Sequence, residues 1–360
     1  MRISIVGGGN IGTLMAAEFS FKGHTVTVYT SSPEQWNENI TVTDNGGNVL
    51  FDSKIECITN DILVAADADY IFVTLPSIAQ GAFVEKFLGF IKAGTRIGVV
   101  PGYGGAEYIF KPLIDKGAIL FGFQRVHAIS RLERYGQVVC MKGRKDSLFL
   151  GAINIELSND LCRDMELLFD MPCIALPNFL CVTLTPSNPI LHTSRLYSMF
   201  KEITPETRFD KNILFYEEWT DLSSELLLAA DEELQNICRA MPKADLKSVR
   251  SLKDHYESYT KEQMTKKIRS IKAFNGINSP MKELCDGWVP DFDSRYFTCD
   301  FSYGLDILCQ FGDILSIETP VMNEMMSWYK KLSSNIEAAV SIKNCGIDSI
   351  ESIYEFYNII

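Results

Sequence analysis

Arg2-Ile3-Ser4-Ile5-Val6-Gly7-Gly8-Gly9-Asn10-Ile11-Gly12 opens the chain. Its apolar run, Ile3–Val6, reads as a strand. Gly7, Gly9 and Gly12 follow at the G-x-G-x-x-G positions, and Ile11–Lys22 then carries a helical pattern. The first glycine permits a tight turn and the second lets backbone approach a pyrophosphate. The third lets helix and strand pack closely. The helix amino terminus adds N–H donors and a positive dipole end. A plain turn can use the same glycines. Their place between a clear strand and a clear helix favours a dinucleotide, with Gly7, Gly9, Asn10, Ile11 and Gly12 as its contacts.

Working outward, further strands are expected at Thr25–Tyr29, Tyr70–Leu75, Arg96–Val100 and Ala118–Phe123, with a helix over Gln80–Ile91. Strands alternating with helices imply a parallel sheet wrapped on both faces. Asn45-Gly46-Gly47-Asn48 lies between Ile40–Thr43 and Val49–Phe51 and reads as an antiparallel hairpin inserted in the sheet region. Near Pro186 the pattern becomes helical, over Leu222–Met241, Ser248–Phe274, Asp306–Leu315 and Pro320–Ile342. Ser279-Pro280 and Thr319-Pro320 read as helix starts. The expected fold is α/β: a Rossmann-type doubly wound parallel sheet over 1–185, then an all-helical domain over 186–360.

The chain has 360 residues, 46% of them apolar and 22% charged, enough apolar content for a full core. A formal net charge of −12 disfavours nucleic acid as a partner. Ten cysteines show no Cys-x-x-Cys pair and no zinc spacing, so no metal is expected. They read as reduced thiols of a cytoplasmic protein. The chain reads as entering its first strand at once, so no signal peptide is expected, and no apolar run reaches membrane-spanning length.

Coenzyme choice depends on the end of the second strand, where NAD sites usually carry Asp or Glu. Here stand Thr30, Ser31 and Ser32. No carboxylate competes with a 2′-phosphate and no arginine lies near, a weak lean to NADP over NAD. Thr74-Leu75-Pro76-Ser77 and Pro101-Gly102-Tyr103-Gly104-Gly105 should lie at the carboxyl edge of the sheet. Leu75 and Pro76 are therefore expected as further cofactor contacts.

Among four histidines, His24 reads as structural, His255 as solvated and His127 as a pocket candidate. His192 follows Thr185-Pro186-Ser187-Asn188-Pro189, where Asn188 can cap a helix and Pro189 can open it. The imidazole then lies in the first turn, near the domain junction, where a carboxylate would suit it to acid–base work. Packing at the junction is the equally simple reading. Arg295 and Asp300, by spacing alone, read as a surface turn.

These pieces resemble the opine dehydrogenases, the octopine/nopaline dehydrogenase family, over nearly the whole chain. The resemblance rests on Gly7–Gly12, Thr30-Ser31-Ser32-Pro33-Glu34-Gln35-Trp36, Val73-Thr74-Leu75-Pro76, Asn188-Pro189-Ile190-Leu191-His192, Phe215-Tyr216-Glu217-Glu218-Trp219 and Arg295–Leu305. It implies NAD(P)H-dependent condensation of an amino acid with a 2-oxo acid, both small molecules, through an imine. It implies His192 as acid/base, Asp300 as its carboxylate partner and Arg295 as the clamp on the oxo-acid carboxylate. Gln124 stands where the family contacts the amino acid. Glu217 and Glu218 read as a helix face, and Trp219 as a wall of the substrate cleft. Ser32 replaces a basic residue of many relatives, which leaves coenzyme choice open. A homodimer is also left open.

Two other readings compete. A 3-hydroxyacid or ketopantoate-type reductase shares this plan but needs a lysine early in the second domain, where Lys201 matches poorly. A nucleotide-sensing protein would use the fold without catalysis.

Overall fold

The structure is a computed structural model that describes residues 1–332 and 339–359. Its contacts divide it into two compact units. One is Met1–Thr183 joined by the chain end from Tyr357, and the other is Leu184–Phe356.

The first unit holds twelve strands among the described residues: β1 (Arg2–Val6), β2 (Thr25–Tyr29), β3 (Asn39–Thr43), β4 (Val49–Lys54), β5 (Cys57–Thr59), β6 (Tyr70–Val73), β7 (Arg96–Val99), β8 (Ile119–Phe123), β9 (Ala128–Arg134), β10 (Val138–Arg144), β11 (Leu148–Ala152) and β12 (Cys173–Ala175). Eight of them form one sheet in the order β12-β11-β8-β7-β6-β1-β2-β5. β1 pairs in parallel with both β2 and β6. Strand order therefore reverses beside β1, and the crevice at a reversal is where ligands bind in such sheets. Ile3, Ile5, Val26, Val28, Ile71 and Phe72 are all buried, as strands covered on both faces require. The sheet is not wholly parallel, because β11 runs antiparallel to β8.

The helix Asn10–Phe21 buries Leu14, Met15, Ala16 and Ala17 in succession, so it is covered on more than one side. Besides β1 and β2 it packs against β3, β4, β9 and β10. Those four make a second sheet, ordered β4-β3-β10-β9. This corrects the expected hairpin: β3 and β4 pair as predicted, but outside the main sheet. The reason is the β9–β10 hairpin, which lends β10 as a parallel partner to β3. The Asp44 carboxylate accepts the N–H groups of Gly46 and Asn48 and closes the β3–β4 turn.

The second unit is mostly helical: Asn188–Phe200, Asp221–Arg239, Leu252–Tyr256, Lys261–Ser270, Asp306–Leu315, Pro320–Leu332 and Ile350–Phe356. It is not all helical. Ser279-Pro280 leads into β13 (Met281–Leu284), which pairs with β14 (Gly287–Pro290). The single helix expected over Ser248–Phe274 is broken. Glu257 takes a left-handed φ of 52°, and Thr260 starts a new helix with a capping box to Gln263. Thr319-Pro320 does start a helix, which runs to Leu332. Of the stretch expected to continue it to Ile342, residues 333–338 lie outside the described residues, and Ile342 precedes a short 3-10 turn.

Candidate active site

In the first unit, the glycine turn joins β1 to the helix Asn10–Phe21. Gly7 has a φ of 111°, a left-handed value that an L side chain avoids, and donates its N–H to the Tyr29 carbonyl at 3.1 Å. A Cβ on Gly12 would fall onto the Gly7 carbonyl oxygen and stand 2.6 Å from Thr74 Oγ1. A Cβ on Gly9 would meet nothing within 4 Å. Gly9 is the N-cap, no side chain caps the helix, and the first helical bond runs from the Thr13 N–H to Gly9. The turn therefore has close packing below, open space above and uncapped N–H groups at a helix start. That donor set fits a pyrophosphate.

Around the turn, Thr30 is buried and its Oγ1 lies 2.9 Å from the Tyr135 hydroxyl and 3.3 Å from the Ser32 N–H. Ser31 is exposed. Leu75 and Pro76 lead from β6 into the helix Ser77–Phe87, with the Leu75 side chain beside Gly7. The Asn10 side chain is already engaged, accepting the Leu132 N–H at 2.8 Å. The structure adds two residues to which the sequence gives no role, Trp36 and Tyr135, both against Gly8. Tyr135 sits in the β9–β10 turn, a hairpin without a sequence signature, and so escapes linear reading.

In the second unit, Ser187 is the N-cap of Asn188–Phe200, so Asn188 is the first helical residue and Pro189 the second. His192 is the fifth, just beyond the first turn. Its Nδ1 lies 2.7 Å from Asp300 Oδ2, across 108 residues of sequence, and its Nε2 lies 2.9 Å from the Tyr216 hydroxyl. His192 and Asp300 are both buried. Asp300 opens a π-helical turn, Asp300–Leu305, ahead of the helix Asp306–Leu315, and this replaces the surface turn read from spacing. Gly304 lets that turn lie against the helix of His192, because a Cβ there would stand 3.0–3.3 Å from Pro189. Proline and glycine thus bring carboxylate and imidazole together.

Arg295 starts the short helix Arg295–Thr298 on the same segment. It is exposed, and its guanidinium makes no hydrogen bond or ion pair with the described residues. It is available to an anionic ligand.

Several expected residues turn out otherwise. Trp219 is fully buried and donates its indole N–H to Ser224 at 2.9 Å, so it packs behind Tyr216 and walls no cleft. Glu217 and Glu218 lie in turns, not on a helix face. They accept the N–H groups of Gly276 and Leu214, both at 2.7 Å. His127 is no pocket residue: it is wholly buried, 2.7 Å from Glu18. Burial raises the Glu18 carboxyl, but His127 and Arg144 together hold it below the usual range. In the first unit, Gln124 follows β8 and donates its side-chain amide to the Cys181 carbonyl at 2.7 Å.

The sequence also passes over Arg195. It is buried and donates Nε to the Phe215 carbonyl at 2.9 Å and Nη2 to the Glu218 carbonyl at 2.8 Å. Burial pulls its guanidinium down to about 10, partly offset by Glu218. No group of three or more His, Cys, Asp or Glu among the described residues could hold a metal. No helix among them is long and apolar enough to cross a membrane.

Two family models match the chain. That described as NAD/NADP octopine/nopaline dehydrogenase, alpha-helical domain, covers residues 175–333. That described as ketopantoate reductase PanE/ApbA covers residues 3–154. The opine dehydrogenase of Haliotis discus hannai is 27% identical, over 96% of this chain and 94% of its own. An octopine dehydrogenase solved in complex with NADH and agmatine is similar with a TM-score of 0.82 at 19% identity, over 98% of this chain and 97% of that one. A yersinopine dehydrogenase with bound NADP+ is similar with a TM-score of 0.67 at 11% identity, over 92% of this chain and 90% of that one.

Proposed function

We infer that this chain, which belongs to the octopine/nopaline dehydrogenase family, joins an amino acid to a 2-oxo acid by reductive condensation with a nicotinamide coenzyme. The observation that carries the catalytic assignment is the buried contact of His192 Nδ1 with Asp300 at 2.7 Å.

The carboxylate orients the ring and fixes its tautomer, with the proton on Nδ1 and exchange at Nε2. Two steps of the condensation need protons moved. The amine loses one as it adds to the oxo carbon, and the oxo oxygen must gain protons to depart as water. A buried imidazole held by a carboxylate suits both, because the carboxylate stabilises the imidazolium between them. Arg295, an unpaired guanidinium on the Asp300 segment, would hold the oxo-acid carboxylate in a two-pronged grip. The Gly7–Gly12 turn would hold the coenzyme pyrophosphate, with Thr30, Ser31 and Ser32 at the ribose. When bound there, a nicotinamide coenzyme would supply the hydride for reduction of the imine. Hydroxyls instead of a carboxylate after β2 support NADP(H) as the preferred coenzyme. Ten free cysteines support a reducing compartment, the cytoplasm.

The match of residues 3–154 to ketopantoate reductase favours one second reading, direct reduction of a 2-oxo acid. Among the described residues no lysine is bonded to His192 or Asp300. Lys201 lies nine residues beyond His192, at the far end of the same helix, about 13 Å along its axis. The test is a panel of amino acids against pyruvate, oxaloacetate and 2-oxoglutarate with each coenzyme, followed by NAD(P)H absorbance. Oxidation that requires both amine and oxo acid is expected. Oxidation that proceeds without amine would replace this reading by the second.

A further inference from the structure

His192 has no open edge. Nδ1 is taken by Asp300 and Nε2 by the Tyr216 hydroxyl, at 2.7 and 2.9 Å. Its faces are covered as well. The Tyr296 ring lies over it at 4.5 Å between centroids, and Phe215 meets it edge-on at 5.5 Å. Asp300, Tyr216 and Tyr296 are titratable groups that lie against the ring. Because Asp300 holds Nδ1, protons enter and leave at Nε2, and the group touching Nε2 is a phenol. A substrate oxygen therefore either displaces that phenol or takes the proton through it.

The phenol is held in place. Its ring stacks on Phe274 at 4.1 Å and 19°, and Trp219 lies parallel at 6.3 Å and 6°. The backbone on both sides is tied down by buried Arg195, which bonds the carbonyls of Phe215 and Glu218. Swinging Tyr216 aside would break the stack on Phe274. A hydroxyl can accept one hydrogen bond while donating another, so it can pass a proton without moving.

We propose that Tyr216 is a catalytic residue that relays the proton between His192 Nε2 and the substrate oxygen. The relay rests on the condensation proposed above. As the amine adduct loses water, Tyr216 gives its phenolic proton to the departing hydroxyl. His192 Nε2–H passes its proton to the Tyr216 oxygen in the same event. The C–O bond breaks and its electron pair leaves with the water, while the nitrogen lone pair forms the C=N bond. Tyr216 ends unchanged, His192 ends neutral and Asp300 remains a carboxylate.

The test is Tyr216→Phe, which keeps the ring and its stacking. General acid–base groups contribute about 10²- to 10⁴-fold, so kcat for condensation should fall by about 100-fold or more. NAD(P)H affinity and thermal midpoint should stay near wild type. A kcat within about threefold of wild type, or a raised one, would overturn the relay, since the phenol would then only occupy space. A second measurement needs no turnover: the ¹⁵N resonance of His192 Nε2, assigned by its loss in His192→Ala. It should move in Tyr216→Phe, and an unchanged resonance refutes the contact. If the wild type is inert with every amine and oxo acid, the proposed function and the catalytic relay fall together. The ¹⁵N shift then reports only whether the phenol holds the imidazole, which separates the two failures.

Discussion

Replacing Glu107 with glutamine tests the electrostatics of the first unit. Glu107 follows the loop Pro101–Gly105 and is wholly buried. Its Oε1 accepts the hydroxyls of Thr183 and Tyr357, the latter at 2.5 Å, while Oε2 has no hydrogen-bond partner among the described residues. Burial, partly offset by those two hydroxyls, pushes the carboxyl up from 4.5 to about 7. Between these values the folded chain binds a proton that the unfolded chain has released. Stability from this group is therefore complete below about pH 4.5 and is lost as pH rises through about 7. A shift of about 2.5 units at 1.36 kcal/mol each gives an effect of order 3 kcal/mol. Glutamine mimics the protonated acid and cannot titrate. The variant should exceed wild type by only about 1 kcal/mol near pH 5 and by about 3 kcal/mol near pH 8. Asp231, raised to about 7 mainly by burial, adds a trend of the same sign in the second unit, and it cancels in the comparison. Glu18, held low, contributes stability that is lost only on acidification. The assay is urea unfolding from about pH 5 to 8, read by hydrogen exchange in peptides of the first unit. Wild-type and variant stabilities that run parallel across this range would refute the reasoning.

Three further outcomes follow from the geometry. Gly12→Ala places a methyl on the Gly7 carbonyl and should weaken NAD(P)H binding and cost about 1–3 kcal/mol of stability; an unaltered coenzyme Kd in a fluorescence titration counts against the cradle. Asp300→Asn removes the charge facing His192. At about 1.5–3 kcal/mol for a charged hydrogen bond, kcat should fall about 10- to 150-fold with coenzyme affinity kept, and an unchanged kcat sinks the pair's role. Arg295→Lys loses the two-pronged grip and should raise KM for the oxo acid about 10- to 150-fold while leaving KM for the amino acid within a few-fold; equal rises in both would show that Arg295 is not specific to the oxo acid.

Much of the first unit is legible from local pattern. Strand, glycine turn and helix are neighbours in sequence, and their periods of two and 3.6 residues are written in consecutive residues. The second sheet is not legible. Its β9 and β10 carry Arg131, Glu133, Arg134, Lys142 and Arg144, which blur the alternation, and β3 finds its parallel partner nearly a hundred residues away. The break at Glu257 escapes because neither glycine nor proline marks it, and the hairpin after Ser279-Pro280 because proline and short apolar runs serve helix and strand starts alike.

The sequence by itself determined the glycine cradle, the helical second half and the residue types on which the chemistry depends. Only tertiary structure decided which of them meet. Asp300 reaches His192 because Gly304 lets a π turn settle on Pro189. Tyr216 reaches Nε2 because buried Arg195 fixes its backbone, and Trp219 spends its indole in the core behind it. Spacing along a chain specifies neighbours within a turn or a strand. Contacts across 24 or 108 residues are chosen by how helices pack, and a linear pattern does not carry that information.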